Sequence, residues 1–162
     1  ISQYGTTKRK GETLLLALAP QAIIIRTAWL YSAHGNNFVK TMLRLADSQP
    51  EIKVVCDQIG TPTFARDLAR AVVKVLQSHQ WVPGIYHFTD EGAASWYDFA
   101  KAIFRIAGKD VKVTPIPTED YPTPASRPSY SILDRTRIKA TYGIEIPHWE
   151  EALADCLRQL GY

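Results

Sequence analysis

Tyr4 and Lys8 stand four residues apart in the segment YGTTK. On a helix this spacing brings both side chains out of one face, where they can approach a common ligand. The chemistry open to such a pair is proton donation. A free phenol titrates at about 10, and a neighbouring ammonium stabilises the phenolate, so the hydroxyl gives its proton more readily to a developing alkoxide. A solvated helix face carries the same spacing, so the pair needs context. Two other groups of residues suit an anionic ligand. Gln58, Gly60, Thr61, Pro62 and Thr63 form a turn entering a helix, whose free N–H groups either face an anion such as a diphosphate or complete an ordinary turn capped by Thr63. Arg127 sits in a proline-rich loop, where its fork-shaped guanidinium suits phosphate oxygens. His34, His79, His87 and His148 do not fall at metal-ligand spacings, and no metal site is expected.

The elements that must position these residues follow from periodicity. Residues 4–19 fit a helix with an apolar second half, stopped by Pro20. The run Ala22-Ile23-Ile24-Ile25 is short, β-branched and unbroken, the pattern of a buried parallel strand, and Arg26 directly after it is suited to a structural ion pair. Residues 37–46 predict a helix with Phe38, Met42 and Leu45 on one face and a cap among Gly35, Asn36 and Asn37; a strand follows at 52–55. Phe64, Leu68, Val72, Val75 and Leu76 make residues 63–77 an amphipathic helix. A second buried strand is expected at 84–88. Ser95 is placed to cap a helix whose apolar stripe is Trp96, Phe99, Ala100, Ile103, Phe104 and Ala107, closed by Gly108. Val111, Val113 and Ile116 alternate as in a strand, and the five prolines within residues 114–131 exclude a helix or a central strand there. A last helix carries Trp149, Leu153, Cys156, Leu157 and Leu160 on one face. Helices alternating with short strands define an α/β protein.

With 162 residues and 46% hydrophobic content the chain can bury one sizeable core, enough for one domain or one and a half. Lys and Arg exceed Asp and Glu by 19 to 16 and are spread along the chain, which argues against nucleic acid and suits a small anion. Cys56 and Cys156 have no CxxC spacing and read as reduced thiols of a cytoplasmic protein. The apolar runs are far short of the ~20 residues of a membrane span, and no signal peptide is recognisable. The chain opens at Ile1 and its first motif begins at Tyr4, so an amino-terminal portion is expected to be missing.

The blocks YGTTKRKGE, IIIRTAWLYSAHGNNFVKTML, VVCDQIGTPTFARDLA, GIYHFTDEGAASWYDFA and YPTPASRPSYSILD, in that order and spacing, resemble dTDP-4-dehydrorhamnose reductase, a family of the extended short-chain dehydrogenase/reductases. They run from Tyr4 to Asp134, and WLY with GNNF and the stretch YPTPASRP are far more specific than YxxxK. The resemblance implies the carboxy-terminal part of a Rossmann-like fold with its small α/β substrate-binding domain. Residues 1–35 and about 63–92 would complete the Rossmann-like core, and about 36–62 and 93–162 the substrate-binding domain, with the amino-terminal cofactor-binding half absent. It also implies reduction of the 4-keto group of dTDP-4-dehydro-L-rhamnose by NADPH or NADH, giving dTDP-L-rhamnose for surface polysaccharide.

By the same resemblance Tyr4 is the general acid at the keto oxygen and Lys8 holds the nicotinamide ribose hydroxyls, so both also touch the cofactor. Trp29, which would otherwise read as core, matches the position whose indole lies against the deoxysugar. Asn36, Asn37, Gln58, Gly60, Pro62, Thr63 and Arg127 complete the implied substrate site. The sequence departs from the family in three ways. The Ser or Thr that bonds the carbonyl lies upstream of the tyrosine in the family, and Ser2 is too close to Tyr4 to be that residue. None of the nine glycines forms a GxGxxG after a strand, so the main cofactor site is expected outside these residues. Some members hold magnesium through glutamates at a dimer interface; Arg66 and Gln159 stand at two of those positions, which argues against a magnesium bridge while leaving a homodimer open. A second reading of the same fold is a non-catalytic subunit, like the β subunit of methionine adenosyltransferase.

Overall fold

The computed structural model describes residues 2–123, 125 and 127–162. Helix α1 (Gln3–Leu18) starts where the Ser2 hydroxyl accepts the amide of Gly5 and stops ahead of Pro20. The chain then reverses into strand β1 (Ile23–Arg26), which is linked to α1 by a two-pronged ion pair: Arg26 Nε and Nη2 donate to the Glu12 carboxylate at 2.8 and 2.6 Å. No residue of α1 is buried, and Leu18 is 86% exposed. Its apolar half is largely uncovered, with Leu14, Leu15 and Leu18 exposed and Leu16 half-buried.

Two short strands, β2 (Leu30–Tyr31) and β5 (Thr63–Phe64), pair in parallel, and β4 (Ile59–Gly60) pairs antiparallel with β7 (Ala94–Ser95). β1 pairs in parallel with β6 (Gly84–His87), from Ile23 opposite Gly84 to Arg26 opposite His87. It was expected to be buried, but every residue of β1 is only half-buried, because it has β6 on one side and no strand on the other among the described residues. A small core forms over this pair from Tyr86, Phe88, Ala71 and Val75 of α3 (Ala65–Gln77), and Ile138 and Tyr142 of α5 (Thr136–Tyr142).

The larger core joins α2 (Phe38–Ala46), β3 (Glu51–Val55), α4 (Trp96–Ala107), β8 (Lys112–Ile116) and α6 (Trp149–Gln159), with β3 and β8 parallel. α4 follows its local code. Ser95 and Asp98 form a reciprocal capping box, the expected stripe packs inward at Phe99, Ala100, Ile103 and Phe104, and Gly108 ends the helix at φ 64°. Pro115 is tolerated in β8 because, among the described residues, that strand has a neighbour on one side only.

Helix α3 starts two residues later than its apolar period predicts, since the Thr63 amide bonds the Trp29 carbonyl at 3.1 Å and draws Thr63–Phe64 into a strand. Leu76, placed on the buried face by that period, is 64% exposed, whereas Asp67 is buried there beside Ala71 and Val75.

Candidate active site

The Glu12–Arg26 pair ties α1 to the end of β1. Tyr4, Lys8 and Glu12 follow one another at four-residue steps, so the face that meets Arg26 also carries the candidate proton donor. Tyr4 lies eight residues before Glu12, about 12 Å along the helix. Trp29 follows Arg26 by three residues, with a left-handed backbone at φ 48°. Tyr4 is 72% exposed and Lys8 is exposed, and neither side chain has a hydrogen-bond partner among the described residues. Arg26 has the ion-pair role its position suggested, and its hydrogen bond holds the Glu12 carboxyl below the usual range.

Trp29 stands at the end of an aromatic cluster. Its ring stacks on Trp96 with centroids 3.6 Å apart and planes 9° from parallel, and Phe38 tilts against Trp96 at 4.8 Å. Trp29 has φ 48°, the only positive φ among the described non-glycine residues. For a bulky side chain this left-handed conformation costs about 1–2 kcal/mol, so its surroundings must impose it. Gly60 makes the approach feasible: a Cβ there would stand 2.5 to 2.8 Å from Trp29 Cε2, Nε1 and Cζ2. Trp96 was read from sequence only as one residue of a core stripe; no local pattern distinguishes a ring that packs inward from one that stacks on a neighbour's indole.

The turn at 58–63 differs from its expected form. Part of its backbone is engaged within the protein: Ile59 N–H bonds the Ser129 carbonyl, Thr63 N–H the Trp29 carbonyl, and the following Phe64 N–H the Asp90 carboxylate. Gln58 is buried and its amide donates to the Thr118 hydroxyl at 3.0 Å, while Thr61, Pro62 and Thr63 are buried as well. Asn37 caps α2, accepting from the Lys40 amide, and its own amide group is held by the Ser32 carbonyl at 2.7 Å. Asn36 is exposed. Arg127 is exposed and forms no ion pair among the described residues, although its loop is fastened beside Gly60 by reciprocal bonds between Ile59 and the backbone of Ser129 and Ser131. The residues at the two metal-linked family positions are Arg66, ion-paired with Asp155, and Gln159, and no group of carboxylates, histidines and cysteines suited to a metal is present among the described residues.

Behind the turn lies a polar arrangement that periodicity does not reveal. Asp90 is fully buried, and burial raises its carboxyl to about 7, although the Phe64 amide donates to one of its oxygens. Tyr31 and Asp67 are buried nearby and also raised, again chiefly by burial. In the unfolded chain an aspartate titrates at about 4. Between that value and about 7 the folded state holds a proton that the unfolded chain has released, so the stability tied to Asp90 is full below about 4 and gone above about 7. Asp90→Asn keeps the acceptor for Phe64 and removes the titration. The variant is expected to gain on the parent as pH rises from 5 to 8, by a few kcal/mol at most, read from urea unfolding at both values. A constant difference would contradict the buried proton.

A helix bearing Tyr-x-x-x-Lys, folded back along a parallel strand and joined to a second α/β layer, defines the carboxy-terminal part of an extended short-chain dehydrogenase/reductase fold. Comparison with known proteins places it further: the family described as RmlD substrate binding domain matches residues 1–162, and the chain belongs to it. The dTDP-4-dehydrorhamnose reductase of Aggregatibacter actinomycetemcomitans is 48% identical over 160 residues, covering 93% of this chain and 54% of that protein. The crystal structure of a dTDP-4-dehydrorhamnose reductase from Clostridium acetobutylicum matches with a TM-score of 0.93 at 49% identity, over 98% of this chain and 56% of that one. The enzyme of the same name from Bacillus anthracis, solved in complex with NADP, matches with a TM-score of 0.89 at 40% identity, over 96% and 54% of the two chains. The chain thus spans about half the length of the relatives it matches.

Proposed function

We propose that this chain is the proton-donating and sugar-nucleotide-binding part of a cytoplasmic dTDP-4-dehydrorhamnose reductase, using NADPH or NADH. The observation that carries the reading is the open face of α1: Tyr4 and Lys8 are exposed one turn apart on the helix that the Glu12–Arg26 pair ties to β1. Tyr4 gives its proton to the 4-keto oxygen of the sugar, and Lys8 stabilises the phenolate left behind. The exposed Lys8 fits the ribose end of a nicotinamide cofactor, which supplies the hydride when bound. Trp29, Gly60 and Pro62 form the wall beside the sugar, with Gln58 and Thr63 bracing it, while Asn36, Asn37 and Arg127 line the approach of the diphosphate. Retention of both Tyr4 and Lys8 on an open face favours an enzyme over a binding subunit.

Two measurements test this. The protein carrying this chain should reduce dTDP-4-dehydrorhamnose with reduced nicotinamide cofactor. In calorimetry, the 162 residues alone should bind dTDP weakly and reduced cofactor not measurably, because no glycine-rich pyrophosphate cradle occurs in them. Cofactor binding as tight as that of an intact reductase would show the cofactor site to be misplaced, and binding of neither ligand would remove the pocket assignment.

A further inference from the structure

Both faces of the Trp29 indole are covered by the protein itself. On one side Trp96 lies parallel at 3.6 Å, a gap filled by the thickness of the rings. On the other side lies Gly60. A Cβ at Gly60 would stand almost equally far from Cε2, Nε1 and Cζ2, at 2.5, 2.7 and 2.8 Å. Three adjacent ring atoms at similar distances place that point over the ring and not beyond its edge, and the slot between two stacked indoles has no room for backbone. Gly60 must therefore lie opposite Trp96. A sugar ring seated on the face of Trp29 has to displace one of the two.

Gly60 cannot retreat, since β4 is pinned between Ala94 of β7 on one side and the backbone of Ser129 and Ser131 on the other. Trp29 is held as well, through its carbonyl bonded to Thr63 and the β2–β5 pairing that follows at once. Trp96 differs from both. Its backbone is fixed by the capping box in the first turn of α4, but its side chain is half-exposed and its further neighbour, Phe38, is half-exposed too. It can turn about its own side-chain bonds without disturbing a strand.

We infer that Trp96 is a displaceable cover of the sugar site: it occupies the Trp29 face that the deoxyhexose takes, and binding of the sugar ring parts the two indoles. This rests on the reading of Trp29 as the sugar wall. The exchange swaps one flat apolar partner for another, the C–H face of the sugar, so a hexose that turns a hydroxyl towards Trp29 gains less than it displaces. Trp96 thereby helps to set which sugar is accepted.

Fluorine-labelled tryptophan gives the test, since a stacked ring shifts the resonance of its partner and the chain has only four tryptophans. Trp29→Phe and Trp96→Phe assign the two signals in the protein carrying this chain. Saturation with dTDP-L-rhamnose should move both while leaving Trp81 and Trp149 in place, and dTDP alone should move neither. Trp96→Phe, a smaller cover, should tighten dTDP-L-rhamnose binding severalfold and leave dTDP binding unchanged; a purely structural Trp96 would weaken both or neither. If calorimetry on the same samples shows the sugar nucleotide bound while both signals stay still, or if dTDP alone moves them equally, the cover does not exist. Failure of dTDP and dTDP-L-rhamnose alike to bind would overturn the sugar-site reading and this inference with it.

Discussion

Replacing Tyr4 by Phe in the protein that carries this chain should lower turnover by about 10²–10⁴-fold, the usual contribution of a positioned general acid, with dTDP-sugar binding changed by no more than a few-fold. The ring and its exposure are kept, and only the transferable proton is lost. Because Tyr4 has no hydrogen-bond partner among the described residues, no buried group is left unsatisfied and stability should not move. The loss belongs in kcat, since the interaction is made with a charge that develops only in the transition state. Unchanged turnover in a steady-state assay would remove Tyr4 from the chemistry and leave α1 as an ordinary solvated helix.

Gly60→Ala should have the largest structural effect of any single methyl added at the site. The new Cβ would meet the Trp29 ring at 2.5 Å; Gly60 is held by its pairing across β4–β7, and Trp29 can yield only against Trp96, stacked on it at 3.6 Å. Relief comes only by driving Trp29 into Trp96 and breaking the stack. Overpacking of this kind costs about 1–3 kcal/mol, so the urea midpoint should fall with an unchanged slope. Affinity for dTDP-L-rhamnose should fall with it, as the wall moves into the space of the sugar. A variant as stable as the parent would mean that the Trp29–Trp96 stack contributes nothing to stability.

What could be read from the sequence was what neighbouring residues decide among themselves. The cap at Ser95, the stop at Pro20, the stripe of α4 and the four-residue step from Tyr4 to Lys8 are local, and the structure repeats them. α5 escaped because a short helix buried at only Ile138 and Tyr142 carries too little period to stand out. Thr63 and Phe64 left their helix for a strand because the Trp29 carbonyl, far away in sequence, claims the Thr63 amide. The same distance effect engages the Ile59, Thr63 and Phe64 amides, which bond to Ser129, Trp29 and Asp90. Asp67 and Asp90 gave no signal at all: a single carboxylate in an amphipathic segment looks the same whether it meets water or a buried tyrosine.

The lone ion pair that carries α1 has a consequence for how the protein breathes. A free helix of this length is marginal in water, and α1 adds no buried residue to either core. Its amide protons should exchange with solvent close to the rate of an isolated helix and faster still in high salt, which weakens the Glu12–Arg26 pair. Those of α4, with five buried residues, should exchange only when the larger core opens. The candidate proton donor therefore sits on a helix with no buried residue, and the persistence of its geometry is governed by whatever surface comes to rest on Leu14, Leu15 and Leu18.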